Sequence, residues 1–200
     1  MTIDSYFDRV FYINLDSDHS RKSAMEEKLA QVGIRNYERV PGVKIGVLPQ
    51  IQFWRNFIKN DLKYLLGSLG CRESHLECIR IAKKKGYKKI LILEDDAVFL
   101  NDPNTILSSN VQNVPDWDLM YFGGLIEPHF RNQVVCLHAY GLSETVFDDV
   151  LNMAGPSGME IDNFYAKILQ HMSRNDRRLG KYCTLLVEPF NSIVQDKTYS

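Results

Sequence analysis

The run Ile90-Leu91-Ile92-Leu93 leads straight into Glu94-Asp95-Asp96. Consecutive large apolar residues fit a strand buried on both faces, as in the middle of a parallel α/β sheet. The carboxyl ends of such strands open onto the ligand crevice. Three carboxylates crowded there repel one another unless a cation sits among them. A hard divalent ion supplies that charge, prefers oxygen ligands and carries phosphate groups. The segment therefore commits the chain to an α/β architecture. It also points to a metal-dependent enzyme working on a phosphorylated small molecule.

Strand and helix patterns alternate around this segment, which predicts a mainly parallel central sheet flanked by helices. Val10 to Leu15 reads as the first strand, Arg21 to Gln31 as a helix ended by Gly33, and Tyr37 to Val40 as a short strand. Pro41 to Pro49 reads as a loop, and Ile51 to Leu66 as one or two short helices. Gly67-Ser68-Leu69-Gly70 is expected to break the pattern before a helix from Cys71 to Lys85. Pro103 suits the first position of a further helix. Trp117 to Phe122 and Val134 to Tyr140 read as strands, and Ser143 as the cap of a helix to Met153. Gly155-Pro156-Ser157-Gly158 reads as a tight loop before a helix from Ile161 to Met172. Thr184 to Val187 reads as the last strand, with a polar tail from Pro189 to Ser200.

Composition narrows the classes of partner. A net charge of −1 leaves no broad basic field for nucleic acid. Lys83-Lys84-Lys85 and Lys88-Lys89 form a local patch that suits a solvated helix end, with a membrane surface or polyanionic acceptor as the other reading. No apolar run approaches transmembrane length, and Met1 to Asp8 lacks the apolar core of a signal peptide. The expectation is a cytoplasmic protein with at most peripheral membrane contact. Its four cysteines, Cys71, Cys78, Cys136 and Cys183, are then expected as free thiols. On a helix, Cys71, His75, Cys78 and Ala82 share one face. A buried face with a hydrogen-bonded histidine is the expected reading, and a zinc site the other. His19, His129, His138 and His171 have no ligand spacing and read as surface or core residues.

The order of landmarks resembles glycosyltransferase family 25. They are Ile13-Asn14-Leu15 with Arg21, Gly70-Cys71-Arg72-Glu73-Ser74-His75, Leu93-Glu94-Asp95-Asp96 and Asp116-Trp117-Asp118-Leu119. Ala139-Tyr140-Gly141-Leu142-Ser143 and the segment Pro189 to Asp196 follow in the same order. That family includes bacterial lipooligosaccharide galactosyltransferases and collagen galactosyltransferases. The resemblance implies a GT-A-type fold, a UDP-sugar donor (commonly UDP-galactose), a divalent metal (manganese, or magnesium) and inversion at the anomeric carbon. It implies one domain over residues 1–200, with a nucleotide-sugar-binding half at 1–100 and an acceptor-side half at 101–200. The acceptor would be a glycan or glycolipid hydroxyl.

By the same resemblance, Asp96, with Glu94, would bind the metal that bridges the diphosphate. Glu94 or Asp95 would contact the ribose or a metal-bound water. Strand alternation is expected to place Glu94 and Asp96 on one side and Asp95 on the other. Asn14, Leu15 and Arg21 at the first strand-to-helix turn would meet the donor, with Ser74 and His75 in support. Asp162 is the candidate catalytic base and Glu160 the reserve. Either could instead cap a helix. Gln195 and Asp196 in the closing segment would return to the metal or diphosphate, and Asp118, Gly123 and Gly124 would line the acceptor pocket.

Two other readings compete. A receiver-type signalling domain also binds magnesium through an acid pair. Its pair, however, belongs near the amino terminus. A catalytically inactive sugar-nucleotide-binding domain differs only in lacking a working base.

Overall fold

Apolar runs become strands that bury both faces in the computed structural model, which describes residues 1–46, 62–112, 116–127, 133–170, 173–174 and 182–196. A one-turn helix α1 (Ile3–Tyr6) precedes β1 (Arg9–Asn14), α2 (His19–Gln31) and β2 (Tyr37–Pro41). The long helix α3 (Leu62–Lys85) leads to β3 (Lys89–Glu94) and β4 (Ala97–Phe99). Then come α4 (Pro103–Val111), β5 (Leu119–Tyr121), β6 (Leu125–Glu127), β7 (Gln133–Val135) and β8 (Ala139–Ser143). A single 3-10 turn (Glu144–Val146) enters α5 (Phe147–Ser157), and α6 (Ile161–Phe164) continues into a π-helical turn (Tyr165–Leu169). Strands β9 (Ser173–Arg174), β10 (Tyr182–Leu186) and β11 (Ile193–Gln195) complete the described elements.

Seven strands form one sheet in the order β2-β1-β3-β8-β5-β10-β9. All neighbours are parallel except β8, which runs antiparallel to β3 and β5. The sheet is therefore mainly parallel, as expected, and draws its strands from both halves of the chain. Side chains alternate between two cores. Phe11, Ile90, Ile92, Tyr121 and Tyr140 pack with α3, α5 and α6 on one face. Val10, Tyr12, Leu91, Leu93 and Met120 pack with α2 and α4 on the other. Ile90 to Leu93 are all fully buried. Each such side chain contributes about 1.5–3 kcal/mol, so β3 anchors both layers and fixes where its acidic end emerges. Among the described residues no helix is long and apolar enough to cross a membrane.

Several boundaries depart from expectation. The segment Val134 to Tyr140 is two strands, β7 and β8, separated at Cys136 to His138; Cys136 takes a left-handed backbone with φ 66°. Helix α5 runs on through Gly155 and Pro156 and stops at Gly158, whose φ of 67° is the left-handed cap. Pro156 near the helix end obstructs little there. The readings at His129 and His171, and most of Ile51 to Leu66, lie outside the described residues.

Helix α3 also passes through Gly67-Ser68-Leu69-Gly70 without a break. A close approach explains Gly70. A Cβ there would stand 2.3 Å from the Val43 carbonyl oxygen. Ser74, one turn on, accepts the Val43 N–H at 2.8 Å and donates to the Gly70 carbonyl at 2.7 Å. The loop after β2 is thus laid onto α3 where the helix has no side chain. Opposite outcomes follow at the two glycines. Gly70→Ala should cost about 1–3 kcal/mol through overpacking. Gly67→Ala, with nothing within 4 Å of its added Cβ, should stabilise by about 0.5–1 kcal/mol. Denaturant melts of the two variants check this.

Candidate active site

The parallel register of β1 on β3 pairs Ile13 with Glu94. Asn14, one residue further, therefore reaches Asp95, and its Nδ2 donates to Asp95 Oδ2 at 2.7 Å and to the Asp18 carbonyl at 3.1 Å. Asp18 caps α2 by accepting the Arg21 N–H. That cap sets the first turn so that Arg21 Nη1 donates to Asp95 Oδ1 at 3.0 Å and lies 3.9 Å from Asp96 Oδ2. Burial works against the Arg21 charge, but Asp95, Asp96 and Asp18 outweigh it and hold the guanidinium more basic than usual. Leu15 is exposed and sits beside Gly42.

Asp96 is met from the other end of the chain. Strand β11 pairs antiparallel with β4 and matches Gln195 to Ala97. Gln195 Nε2 donates to Asp96 Oδ2 at 3.1 Å, and the Asp196 N–H donates to the Asp96 carbonyl at 2.8 Å. Asp96 Oδ1 is buried without a hydrogen-bond partner. Burial, then the charges of Glu94 and Asp95, push the Asp96 carboxyl up from the ordinary aspartate range, against the pull of Gln195 and Arg21. An orphaned, desolvated carboxylate oxygen in a negative field is a fit for a hard divalent cation.

Glu94 turns to the opposite face of the sheet from Asp95, as alternation requires. Its Oε1 lies 3.2 Å from His75 Nε2 and accepts the Cys71 thiol at 3.8 Å. His75 is fully buried, and its Nδ1 shares a 2.7 Å hydrogen bond with the Tyr140 hydroxyl. Asp96 does not simply follow Glu94. The strand ends at Glu94, so the turn carries Asp96 Oδ2 to Arg21 and Gln195, where alternation no longer governs. Asp96 and Glu94 thus hydrogen-bond to different neighbours, while the Glu94 charge still acts on Asp96.

Asp162 enters from α6. Its Oδ2 accepts the Cys136 N–H at 3.1 Å, which the left-handed turn at Cys136 presents. Burial and then the Glu94 charge push its carboxyl up, while His75 draws it down. Cys71, likewise raised by burial and then by Glu94, Asp162 and Asp96, marks the same common field. Glu160 accepts from Asn163 at 2.9 Å within its own helix start, so Asp162 is the acid that shares the crevice.

Other expected residues are placed differently. Ser74 clamps the Val43 loop, as described above, and its hydroxyl proton is committed there. Asp118 is fully buried and precedes β5, which runs parallel to β3, so it lies at the sheet edge opposite the carboxylates. Its carboxylate accepts the Cys183 N–H at 2.7 Å and the Thr145 hydroxyl. It is a strand lock, and the acceptor-pocket reading is corrected. Gly123 and Gly124 do lie at the crevice end, but as packing positions. A Cβ on Gly123 would stand 2.0 Å from the Ile193 carbonyl, and one on Gly124 2.4 Å from Val134. They let the closing segment lie against the sheet. His138 is buried there and bonds the Ile193 carbonyl at 2.9 Å. Two participants were not singled out in the sequence for these contacts. Tyr140 could have been found from its place in an alternating buried strand. Cys136 contributes a backbone group, which no side-chain pattern signals.

The profile of the family described as "Glycosyltransferase family 25 (LPS biosynthesis protein)" matches residues 7–170. A relative from Drosophila melanogaster, "Glycosyltransferase 25 family member", is 26% identical over 164 residues, which takes in 74% of this chain. The chain spans only 27% of that relative's length. The crystal structure of "a glycosyltransferase involved in the glycosylation of the major capsid of PBCV-1" superposes with a TM-score of 0.52 at 8% identity, over 90% of this chain and 81% of that one. That likeness speaks to the fold, and the arrangement is the GT-A-type one expected. With the family profile running from before β1 to the end of the π-helical turn, the chain belongs to glycosyltransferase family 25.

Proposed function

We propose that this chain is a metal-dependent inverting glycosyltransferase that moves a hexose, galactose by preference, from a UDP-sugar to a hydroxyl of a glycan or glycolipid. The observation that carries the reading is Asp96. Its partnerless buried oxygen lies in the field of Glu94 and Asp95, while its other oxygen meets Gln195 near Arg21. Asp96, with Gln195 beside it, would hold the divalent ion, manganese or magnesium. When bound, such an ion neutralises the charge that grows on a departing nucleoside diphosphate. Arg21, fixed between Asp95 and Asp96, supplies a permanent positive charge for the same phosphates. Asn14 holds the Asp95 carboxylate in the orientation Arg21 needs.

Asp162 removes the proton of the attacking hydroxyl. Its carboxyl, raised above the ordinary range, is a stronger base than a solvated aspartate. The new glycosidic bond forms as the bond to the diphosphate breaks, and the proton rests on the Asp162 carboxylate. The family match over residues 7–170 displaces the receiver-type alternative.

Calorimetric titration with UDP, with and without manganese, tests the donor. The expected result is binding that requires the metal. A screen of UDP-sugars for slow hydrolysis then identifies the hexose. Tight UDP binding indifferent to metal would end the assignment to Asp96, and binding without turnover of any sugar would favour an inactive binding domain.

A further inference from the structure

Cys71 and His75 stand one helical turn apart on α3, and Glu94 comes to meet them from β3. We infer that these three residues form a second metal site, for zinc or a similar borderline-soft divalent ion, separate from the hard-ion position at Asp96. Among the described residues, they are the one set of three potential ligands whose donor atoms all lie within 4.8 Å of one another. The sequence offered three soft ligands on a single helix, Cys71, His75 and Cys78. The fold removes Cys78 into the core and substitutes a carboxylate from the adjoining strand.

The two edges that meet at Glu94 suit a tetrahedral ion. Bonds of about 2.3 Å to sulfur and about 2.0 Å to nitrogen or oxygen set N-to-O edges near ~3.3 Å and S-to-O edges near ~3.5 Å. The observed separations are 3.2 Å from His75 Nε2 to Glu94 Oε1 and 3.8 Å from Cys71 Sγ to the same oxygen. His75 already has the support that metal-bound histidines carry. Its other nitrogen, Nδ1, is held by the Tyr140 hydroxyl at 2.7 Å, and the two rings stack at 5.6 Å. That bond fixes the ring with Nε2 toward Glu94.

Charge supports the same assignment. A thiolate and a carboxylate balance one divalent ion, leaving the histidine neutral. The surrounding field is already negative, since Asp96 and Asp162 also act on Cys71. In the metal-free protein Cys71 keeps its proton. The incoming ion takes the sulfur lone pair and releases that proton to solvent. Three protein ligands leave a fourth position open. The site does not depend on the donor reading given above.

Cobalt titration of the purified full chain tests it, because thiolate-bound tetrahedral cobalt absorbs in the near ultraviolet. The wild type should show that band together with intense visible absorption. Cys71→Ser should lose the near-ultraviolet band, and His75→Asn should bind far more weakly. Tyr140→Phe should keep the band with affinity about 10–100-fold lower. Asp96→Asn should leave it intact. A wild type without the band overturns the site, as does a Cys71→Ser variant that retains it. Loss of the band in Asp96→Asn places the cobalt elsewhere and overturns it equally. An intact band in a protein that binds no UDP would end the donor reading alone.

Discussion

Asp96→Asn should lower kcat/KM for sugar transfer by about 10²–10³-fold, the range for removing one group that stabilises transition-state charge. The variant keeps its shape and its bond from Gln195, since an amide oxygen accepts as a carboxylate does. It loses the negative oxygen that is buried without a partner in the native chain. UDP binding by calorimetry should become weak and insensitive to manganese. The opposite sign is expected for metal-free stability. Burial and the neighbouring carboxylates hold the Asp96 carboxyl above its unfolded value, so the folded state retains a proton that the unfolded chain has released. Metal-free stability therefore falls as pH rises beyond the ordinary aspartate range. Asp96→Asn removes that decline, and its thermal midpoint near neutral pH should exceed the metal-free wild type's. A variant that keeps full turnover and manganese-dependent UDP binding would show that the ion sits elsewhere.

Asp162→Asn should reduce kcat by about 10²–10⁴-fold while leaving UDP affinity unchanged, because a general base acts on the acceptor proton and not on the nucleotide. Its carboxylate works only when ionised. Burial first, and then Glu94, raise its carboxyl, so the acid limb of the kcat/KM profile should lie above the usual aspartate range. Activity should be lost below that limb and grow as pH passes through it. Glu160→Gln is the internal comparison, since Glu160 bonds Asn163. It should retain most turnover. Equal losses in both variants would mean that α6 is being disturbed as a whole and that Asp162 has no special part.

Much of this arrangement was legible in the sequence, for identifiable reasons. The apolar run before Glu94 specified a two-faced strand, and period-two alternation correctly parted Glu94 from Asp95. The polar turn after Asn14 carried its own cap, Asp18, so the placement of Arg21 followed from local chemistry. Failures arose where tertiary contacts overrode local rules. Two glycines in α3 looked like breakers, yet Gly70 is where the Val43 carbonyl docks on the helix. Asp118 was taken for a crevice residue, but it precedes its strand, and strand direction assigns it to the far edge. The alternation argument held as far as Asp95 and failed in the turn beyond the strand, so Asp96 went to Arg21 and Gln195. The alliance of Cys71 and His75 with Glu94 spans two elements, and spacing along one helix could not reveal it.

The antiparallel pairing of β11 with β4 has a consequence for biosynthesis. Gln195 meets Asp96 across 99 positions of sequence, a long-range closure of the kind that slows folding. A nascent chain emerging from the ribosome exposes Glu94, Asp95 and Asp96 well before β11 arrives to screen one side of them. That side of the Asp96 surroundings therefore stays open until residues 193–196 have been made.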